Sequence, residues 1–401
     1  MAAGSTLLLE LGAVFAAVAV AGSVARLVDQ SVIPFYVLAG MVTGPFVLGR
    51  IGVPAIPQGE TITLLAELGI VLLLFFLGLE FSLDRLLERR GPITRAGLID
   101  LLVNFPVGVA IGLALGWTPI EAFVLGGIVY ISSSAIITKS LIDLGWIANA
   151  ESEPILGTLV FEDLFIAIYL AVLSALLLGG GGGLEGALVD VGVAVGFLSA
   201  LVVVVWFGTA AFQRLLAVDS KEMTVVRTLA ITVTVAGAAL ALGISEAVAA
   251  FFVGMGFSPT DHVHDLEQLL SPLRDVFAAV FFFWIGLGTD PALILATAGL
   301  LAVTVVATTP PKLLSGYYGA MAFDLDRRRA VRTGAAMVTR GEFSLIIAAL
   351  AASGSGIVLT ETIPALAVGY VLVMSILGSV LMDQSETLER LLPGGEPTAD
   401  I

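Results

Sequence analysis

Long apolar stretches, separated by short polar segments, fill almost the whole chain. A helix needs roughly 20 mainly apolar residues to cross a bilayer, and on that rule the sequence predicts about thirteen membrane-spanning helices. The ninth stretch is short and the eleventh is long, which leaves twelve as the alternative count. The predicted spans cover residues 6–27, 33–49, 60–82, 93–116, 119–143, 152–178, 186–212, 223–243, 245–258, 271–288, 291–321, 329–352 and 360–382.

The basic residues test this assignment independently, because the cytoplasmic loops of membrane proteins are enriched in lysine and arginine. Loops after odd-numbered spans carry basic residues such as Arg85, Arg214 and Arg327. The loops after spans four, six, eight, ten and twelve carry none, and Arg50, after span two, is the exception. This alternation predicts a multi-pass protein of the cell membrane with its N-terminus outside and its C-terminus in the cytoplasm.

Composition agrees with this prediction. Of the 401 residues, 58% are hydrophobic and 13% are charged, whereas soluble globular proteins carry about 25% charged residues. The chain therefore lacks the polar surface of a soluble enzyme or a nucleic-acid-binding protein, and its main partner is the lipid bilayer. The formal net charge is −15 and only three residues are lysine. Such a balance suits a halophile, because salt screens self-repulsion; an ordinary acidic cytoplasmic face is the alternative.

Three groups of ionisable residues lie inside predicted spans. Glu162 and Asp163 are in the middle of span six, Lys312 is deep in span eleven, and Arg340 and Glu342 are in the middle of span twelve. A charge at the bilayer centre costs about 2.5–3.5 kcal/mol on insertion scales and marks a functional site by default. Internal ion pairs that only hold helices together are the alternative interpretation.

Glu162 and Asp163 cannot face one ion equally, because neighbouring helical residues point in different directions. One acid can pair with Lys312 while the other faces a water-filled cavity. A carboxylate in such a cavity binds either a proton or a dehydrated alkali cation. This competition, combined with alternating access, is sufficient to exchange a cation for a proton.

The triplet Arg340-Gly341-Glu342 predicts an interruption of span twelve, because glycine permits a break. The first half of the span would then end in a partial negative charge and the second half would begin with a partial positive charge. Arg340 and Glu342 supply the opposite charges in the matching order, which gives them a charge-compensating role.

A corresponding break is predicted in span five, where hydroxyl groups can cap freed amides or line an ion path. The residues concerned are Ser132, Ser133 and Ser134. Hydroxyls that bond within an intact helix are the alternative.

Spans five and twelve are seven apart in the chain, so they run in opposite directions. This offset predicts inverted repeats, at about 6–178 and 223–382, with span seven (186–212) as the linker helix. Broken helices at corresponding positions of inverted halves point to a binding site at the midplane of a secondary transporter. The pairing of span four with span eleven also places Asp100 and Asn104 loosely opposite Lys312.

These repeats form one predicted transmembrane domain, residues 1–382, which a short cytoplasmic tail, residues 383–401, follows. Such a tail is too short to fold as a domain of its own. We therefore expect a cytosolic regulator to be a separate chain.

Seven segments, in this order, resemble the second family of monovalent-cation:proton antiporters, and especially its Kef-type potassium/proton branch. They are Pro34–Gly40 running on to Gly44-Pro45, Leu73–Glu80, Ser132–Ile136, Phe161–Asp163, Ala250–Gly254, Phe281–Leu287 and Arg340–Ser344.

The resemblance implies the all-α sodium/proton antiporter fold, with two crossing broken helices in a core that moves like an elevator against a static dimerisation domain. It also implies that Asp163 binds the ion and that Glu162 pairs with Lys312. In this family an aspartate before the ion-binding residue is associated with sodium exchange and a glutamine with Kef-type potassium exchange; Glu162 is neither. The expected partners are a second copy of the chain and a separate cytosolic nucleotide-binding regulatory subunit.

The predicted function is exchange of potassium, or alternatively sodium, for protons in pH homeostasis, with no covalently bound cofactor. A regulated cation channel or leak subunit on the same scaffold is the alternative, although the buried acidic pair argues against it. A membrane-embedded enzyme is disfavoured, because the spans contain no metal or nucleophile constellation. The predicted ion- and proton-binding residues are Asp163, Glu162, Ser132, Ser133 and Ser134, with Lys312, Arg340 and Glu342 compensating charge.

Overall fold

The computed structural model of the protein describes residues 2–28, 30–80, 90–178, 220–241, 246–260 and 263–385, and the isolated positions 196, 203, 213 and 387. Every regular element in these ranges is helical, which confirms the all-α prediction. Predicted span seven (apart from the isolated positions 196 and 203), the loop residues Arg85 and Arg214, and the tail from residue 388 onward lie outside the described residues.

Eight of the described helices are long and apolar enough to cross a membrane. In chain order the described helices are α1 (Ala2–Leu27), α2 (Val32–Thr43), α3 (Glu60–Glu80), α4 (Arg90–Ala114), α5 (Pro119–Tyr130), α6 (Ser134–Asp143), α7 (Ser152–Leu178), α8 (Lys221–Ala241), α9 (Glu246–Phe257), α10 (Val263–Leu287), α11 (Pro291–Ala296), α12 (Ala298–Met321), α13 (Arg327–Ala336), α14 (Glu342–Ala352) and α15 (Ile363–Asp383). Short 3₁₀ turns at Gly49–Ile51 and Trp146–Ala148, and a π-helical turn at Val358–Thr362, complete the set.

The largest differences between predicted spans and observed helices are in spans ten, two and eleven. Helix α10 begins at Val263 rather than at residue 271, because its first turns carry charged residues that lower hydropathy without preventing a helix. Span two ends at Thr43 rather than at residue 49, just before the Gly44-Pro45 pair, and proline lacks the amide that a helix needs. Span eleven is divided at Thr297 into α11 and α12.

The chain forms two compact units, and the first comprises Met1–Leu83, Ala167–Leu293 and Ala349–Gly356. Within this unit α10 packs against α2 and α3, and α3 also packs against α9. Glycines allow the α2–α10 contact to be very close. A β-carbon on Gly40 would meet the carbonyl oxygen of Phe283, and one on Gly286 would meet the carbonyl oxygen of Val37. Such small residues are typical of closely packed membrane helices.

The contact between α3 and α9 repeats this arrangement. A β-carbon on Gly78 would meet the carbonyl oxygen of Phe251, and one on Gly254 would meet the carbonyl oxygen of Phe75. In both helix pairs each glycine faces the carbonyl of the residue three positions before the partner glycine. The first unit therefore contains the same glycine-to-carbonyl contact twice.

The second unit comprises Asp84–Ile166, Ile294–Ala348 and Ile357–Ile401. Helix α12 packs against α4, α13 and α15, and α4 also packs against α5. One apolar cluster of this unit consists of Ile137, Leu141, Trp146, Ile155, Leu159, Ala336, Met337 and Met382. All of the predicted site residues belong to this unit.

Candidate cation- and proton-binding site

Two helix interruptions meet at the centre of the site. Helix α5 ends at Tyr130, the next residue, Ile131, is extended, and α6 begins at Ser134. The second interruption separates α13 from α14 between residues 336 and 342. The amide of Ser133 donates to the carbonyl oxygen of Thr339 at 3.1 Å. The predicted pair of crossing broken helices is confirmed.

Arg340 lies at the carbonyl ends of both first halves and is completely buried. Its Nη1 donates to the carbonyl oxygens of Met337, Val338 and Thr339, at 2.9, 3.0 and 3.1 Å, just beyond the end of α13. Its Nε donates to the carbonyl oxygen of Val129 in the last turn of α5, at 3.0 Å. Since the C-terminal end of a helix carries a partial negative charge, one guanidinium serves two helices.

Glu342 lies at the opposite ends, where both second halves begin. It is the first residue of α14, and its Oε2 and Oε1 accept from the hydroxyls of Ser133 at 2.6 Å and Ser134 at 3.1 Å. Ser133 Oγ in turn accepts from the amide of Ile136 in the first turn of α6, at 3.3 Å. A carboxylate at helix N-termini complements their partial positive charge. The structure thus places Ser133 and Ser134 beside Glu342.

Lys312 is the centre of a buried cluster between α12, α4 and α7. Its Nζ lies 2.7 Å from Asp100 Oδ2 and 2.7 Å from Glu162 Oε1, and it donates to the carbonyl oxygen of Tyr130 at 2.9 Å. The ammonium also lies 5.1 Å from the centre of the Tyr130 ring. The structure therefore brings Lys312 and Glu162 together, as the resemblance implied, and adds Asp100 as a direct partner.

Glu162 connects this cluster to the interruption in span five. Its Oε2 accepts from the amide of Ser132 at 2.7 Å, and its Oε1 accepts from the hydroxyl of Ser132 at 2.9 Å. Glu162 is completely buried, whereas the neighbouring Asp163 is partly exposed. The two acids therefore face different surroundings, which agrees with the expectation that neighbouring helical residues cannot face one ion equally.

Sequence reasoning placed Asp100 and Asn104 only loosely near the site, and it missed Ser315. The structure shows that Asp100 Oδ1 accepts from Ser315 Oγ at 2.7 Å and from Asn104 Nδ2 at 2.9 Å. The signal for the first two was in the sequence, because an acid and an amide four residues apart share a helix face inside span four. Ser315 lies three residues after Lys312, and residues three apart also share a helix face.

Fold and site together define a class of membrane protein. Crossed interruptions of two helices, with compensated ends and a buried cluster of ionisable groups beside them, are the features of a secondary ion transporter. Comparison with known proteins identifies the family. The family model described as "Sodium/hydrogen exchanger, transmembrane" matches residues 13–383. The chain belongs to this family of cation/proton antiporters, and it is a multi-pass membrane transporter and not an enzyme.

Similar proteins support this assignment. The K+/H+ antiporter subunit KhtU of Bacillus subtilis is 34% identical over 388 residues, which cover 96% of this chain and 95% of that protein. The Na+/H+-K+ antiporter GerN of Bacillus cereus is 31% identical over 338 residues, covering 84% and 85%. The solved structure of the sodium proton antiporter MjNhaP1 from Methanocaldococcus jannaschii matches with a TM-score of 0.71 over 97% of this chain and 100% of that chain. At 13% identity the MjNhaP1 match concerns the fold alone.

Proposed function

We propose that the protein exchanges a monovalent cation for protons at Asp163, with potassium favoured and sodium as the second choice. The observation that carries the proposal is the contrast between two adjacent acids. Glu162 is completely buried and bonded to Lys312 and Ser132, whereas Asp163 is partly exposed. Asp163 is therefore the more accessible of the two acids, and we assign the exchanged ion to it.

Competition for one carboxylate accounts for the exchange. A proton and a dehydrated cation neutralise Asp163 in mutually exclusive ways, so entry of one ion requires departure of the other. Glu162, with Ser132, shapes the site from its buried side, and Lys312 compensates the charge of Glu162. Ser133 and Ser134 contribute indirectly, because they hold Glu342 at the crossing.

The choice of potassium rests on the relatives of the chain. Proteins similar to this chain are named as potassium, ammonium, sodium/potassium and sodium antiporters, and the relative that is 34% identical over 96% of this chain is named for potassium. Glu162 lies at the position where the resembled family has aspartate, associated with sodium, or glutamine, associated with potassium, and it favours neither cation. We therefore expect a preference for potassium rather than absolute selectivity.

Movement of the second unit as an elevator would expose the site alternately to the two sides of the membrane. We place the inverted repeats at about 6–178 and 223–382, with the linker 186–212, inside a domain of residues 1–382. Two equivalent glycine contacts in the first unit support these repeats. That pattern is expected when α2 and α3 correspond to α9 and α10. The proposed orientation has the N-terminus outside and the C-terminus, with tail 383–401, in the cytoplasm.

We propose two partners for the transporter. One is a second copy of the chain in a homodimer. The other is a separate cytosolic subunit that binds nucleotides and regulates transport, and two relatives whose printed names contain the word subunit support it. Regulated exchange of this kind would serve pH homeostasis. Separately, the acidic composition of the chain suits a halophile.

Transport by purified protein in liposomes tests the proposal. A panel of cations, read with a pH-sensitive dye with and without a membrane potential, should show potassium-dependent proton movement. Asp163→Asn should abolish it, because an amide can neither bind a proton nor neutralise a cation. Glu153→Gln is the matched control, since Glu153 is an exposed acid near the start of the same helix. Normal exchange by Asp163→Asn would contradict the assigned site.

A further inference from the structure

Lys312 has two carboxylate partners, and only one of them, Glu162, has a role in the exchange proposed above. An ammonium group has three donors, and here the three acceptors are Asp100 Oδ2, Glu162 Oε1 and the carbonyl oxygen of Tyr130. The side chains of Lys312, Glu162 and Asp100 are 0%, 0% and 1% exposed. The ammonium is therefore buried and has a protein acceptor for each of its three donors.

Asp100 is fixed independently of Glu162. Its Oδ1 accepts from Ser315 Oγ, which is on α12, and from Asn104 Nδ2, which is on α4. The Asn104 amide also lies 2.8 Å from Ser315 Oγ. These bonds orient Oδ2 toward Lys312 whatever Glu162 does.

Glu162, by contrast, has bonds in two directions. One oxygen is shared between Lys312 and the hydroxyl of Ser132, and the other accepts from the amide of Ser132 in the interruption of span five. Glu162 also precedes Asp163, where we place the exchanged ion. If Glu162 releases Lys312 when an ion occupies the neighbouring Asp163, the lysine loses one of its two counter-ions, and a buried ammonium without a counter-ion is strongly unfavourable.

We propose that Asp100 is the second counter-ion of Lys312, which keeps the ammonium paired and in place while Glu162 changes partner during exchange. The inference rests on the proposed exchange at Asp163. Asp100 acts through Lys312 and is thus a positioning residue. The groups that face Lys312 from the surrounding elements are Asp100 on α4, the carbonyl and ring of Tyr130 on α5, and Glu162 on α7.

A double-mutant cycle tests whether the two carboxylates replace each other. The variants are Asp100→Asn, Glu162→Gln and the double variant, each of nearly unchanged shape, and the first measurement is the melting temperature in detergent. Each single variant leaves Lys312 one counter-ion, so we expect the double variant to lose clearly more than the sum of the two single losses. Adding Lys312→Met to the double variant should recover part of that loss, because it removes the uncompensated charge.

Transport measurements test the role of Asp100 in a second way, because a purely structural residue would not change the apparent KM for the cation. In Asp100→Asn, Glu162 is the one remaining carboxylate partner of Lys312. The transported cation then competes less well with Lys312 for the charge of Glu162. The apparent KM for the cation should rise by about tenfold, within the range of coupling inside one charged network, while the maximal rate falls much less. Asp100→Glu, which restores the charge, should restore the KM. Thr304→Val, a buried position on α12 outside the cluster, is the control.

Additive melting losses, together with an unchanged KM in Asp100→Asn, would overturn the proposal. Failure of the proposed function gives a different result. If the unmodified protein shows no cation-dependent proton movement, the exchange proposal fails, whereas the melting cycle still decides whether Asp100 is a counter-ion of Lys312.

Discussion

The two interruptions differ sharply in sequence, although they perform the same structural task. The break in span five contains no charged residue, whereas the break in span twelve carries a cation and an anion within three residues. Nevertheless the carbonyl oxygens at both breaks accept hydrogen bonds from side chains. The last three carbonyl oxygens of α5 accept from side chains of other spans, namely Ser344, Arg340 and Lys312.

The difference shows how few charges two broken helices need. Where two breaks cross, the like ends of the helices lie together, so one cation can serve two C-terminal ends and one anion two N-terminal ends. Every charge placed within a membrane is expensive, and sharing reduces their number. Span five therefore depends on Arg340 and Glu342, which are more than 200 residues away in the chain.

The largest effect is expected from Arg340→Met, because it removes donors from both breaks at once. Four buried carbonyl oxygens, three beyond α13 and one in α5, would lose their charged partner. We expect a loss of at least about 3 kcal/mol of stability, since a buried hydrogen bond to a charged group contributes about 1.5–3 kcal/mol. The measurement is the unfolding transition of the purified protein in detergent.

Arg340→Lys separates charge from geometry. Lysine keeps the charge but not the planar fork of donors. The stability of this variant should therefore lie between those of the unmodified protein and Arg340→Met. If Arg340→Met unfolds like the unmodified protein, the two breaks do not share this residue.

A smaller effect is expected from Gly341→Ala, which tests the contact between the breaks rather than their charges. A β-carbon at Gly341 would meet Oγ and Cβ of Ser133, and Ser133 is the residue that donates to Glu342 at 2.6 Å. Because overpacking costs about 1–3 kcal/mol, we expect a loss in that range and slower exchange. The unfolding transition and the initial rate of exchange measure the two effects.

Gly299→Ala is the matched control, because a β-carbon at Gly299 in α12 would meet nothing within 4 Å. Alanine favours a helix over glycine, so this variant should be neutral or slightly stabilised. Equal losses in both glycine variants would show that the crossing is not the cause.

The sequence was sufficient to predict both breaks, because Arg340-Gly341-Glu342 and the three serines carry local signals of helix ends. It was not sufficient to predict that Arg340 reaches Val129, because side-chain reach depends on how two distant spans cross. For the same reason, the sequence predicted only that Asp100 lies near Lys312 and not that the two side chains are in contact. The roles of Ser132 and Ser133 could not be separated either, since the hydroxyls look alike in sequence and differ only in direction.

The smallest effect is expected at an arginine that lies in an exposed ion pair. Arg50 forms a bidentate pair with Asp290, at 3.0 and 2.5 Å, and the Arg50 side chain is 54% exposed. Arg50→Gln should lower stability by no more than about 1 kcal/mol, the usual limit for exposed pairs. A loss of stability as large as that of Arg340→Met would mean that burial does not determine how much an arginine contributes.

The pH dependence of this small effect has a definite sign. Partial burial raises the pKa of Asp290, but hydrogen bonds from the amide of Ala292 and from Arg50, and the charge of Arg50, lower it more, so that the pKa lies below its ordinary value. A lowered pKa stabilises the folded protein above the pKa of the unfolded chain, and this contribution disappears as the pH falls through the folded value. Arg50→Gln should therefore differ from the unmodified protein at neutral pH and converge with it in acid, when unfolding transitions are compared across that range. The Arg340→Met loss should persist, because the backbone carbonyls that Arg340 holds do not titrate.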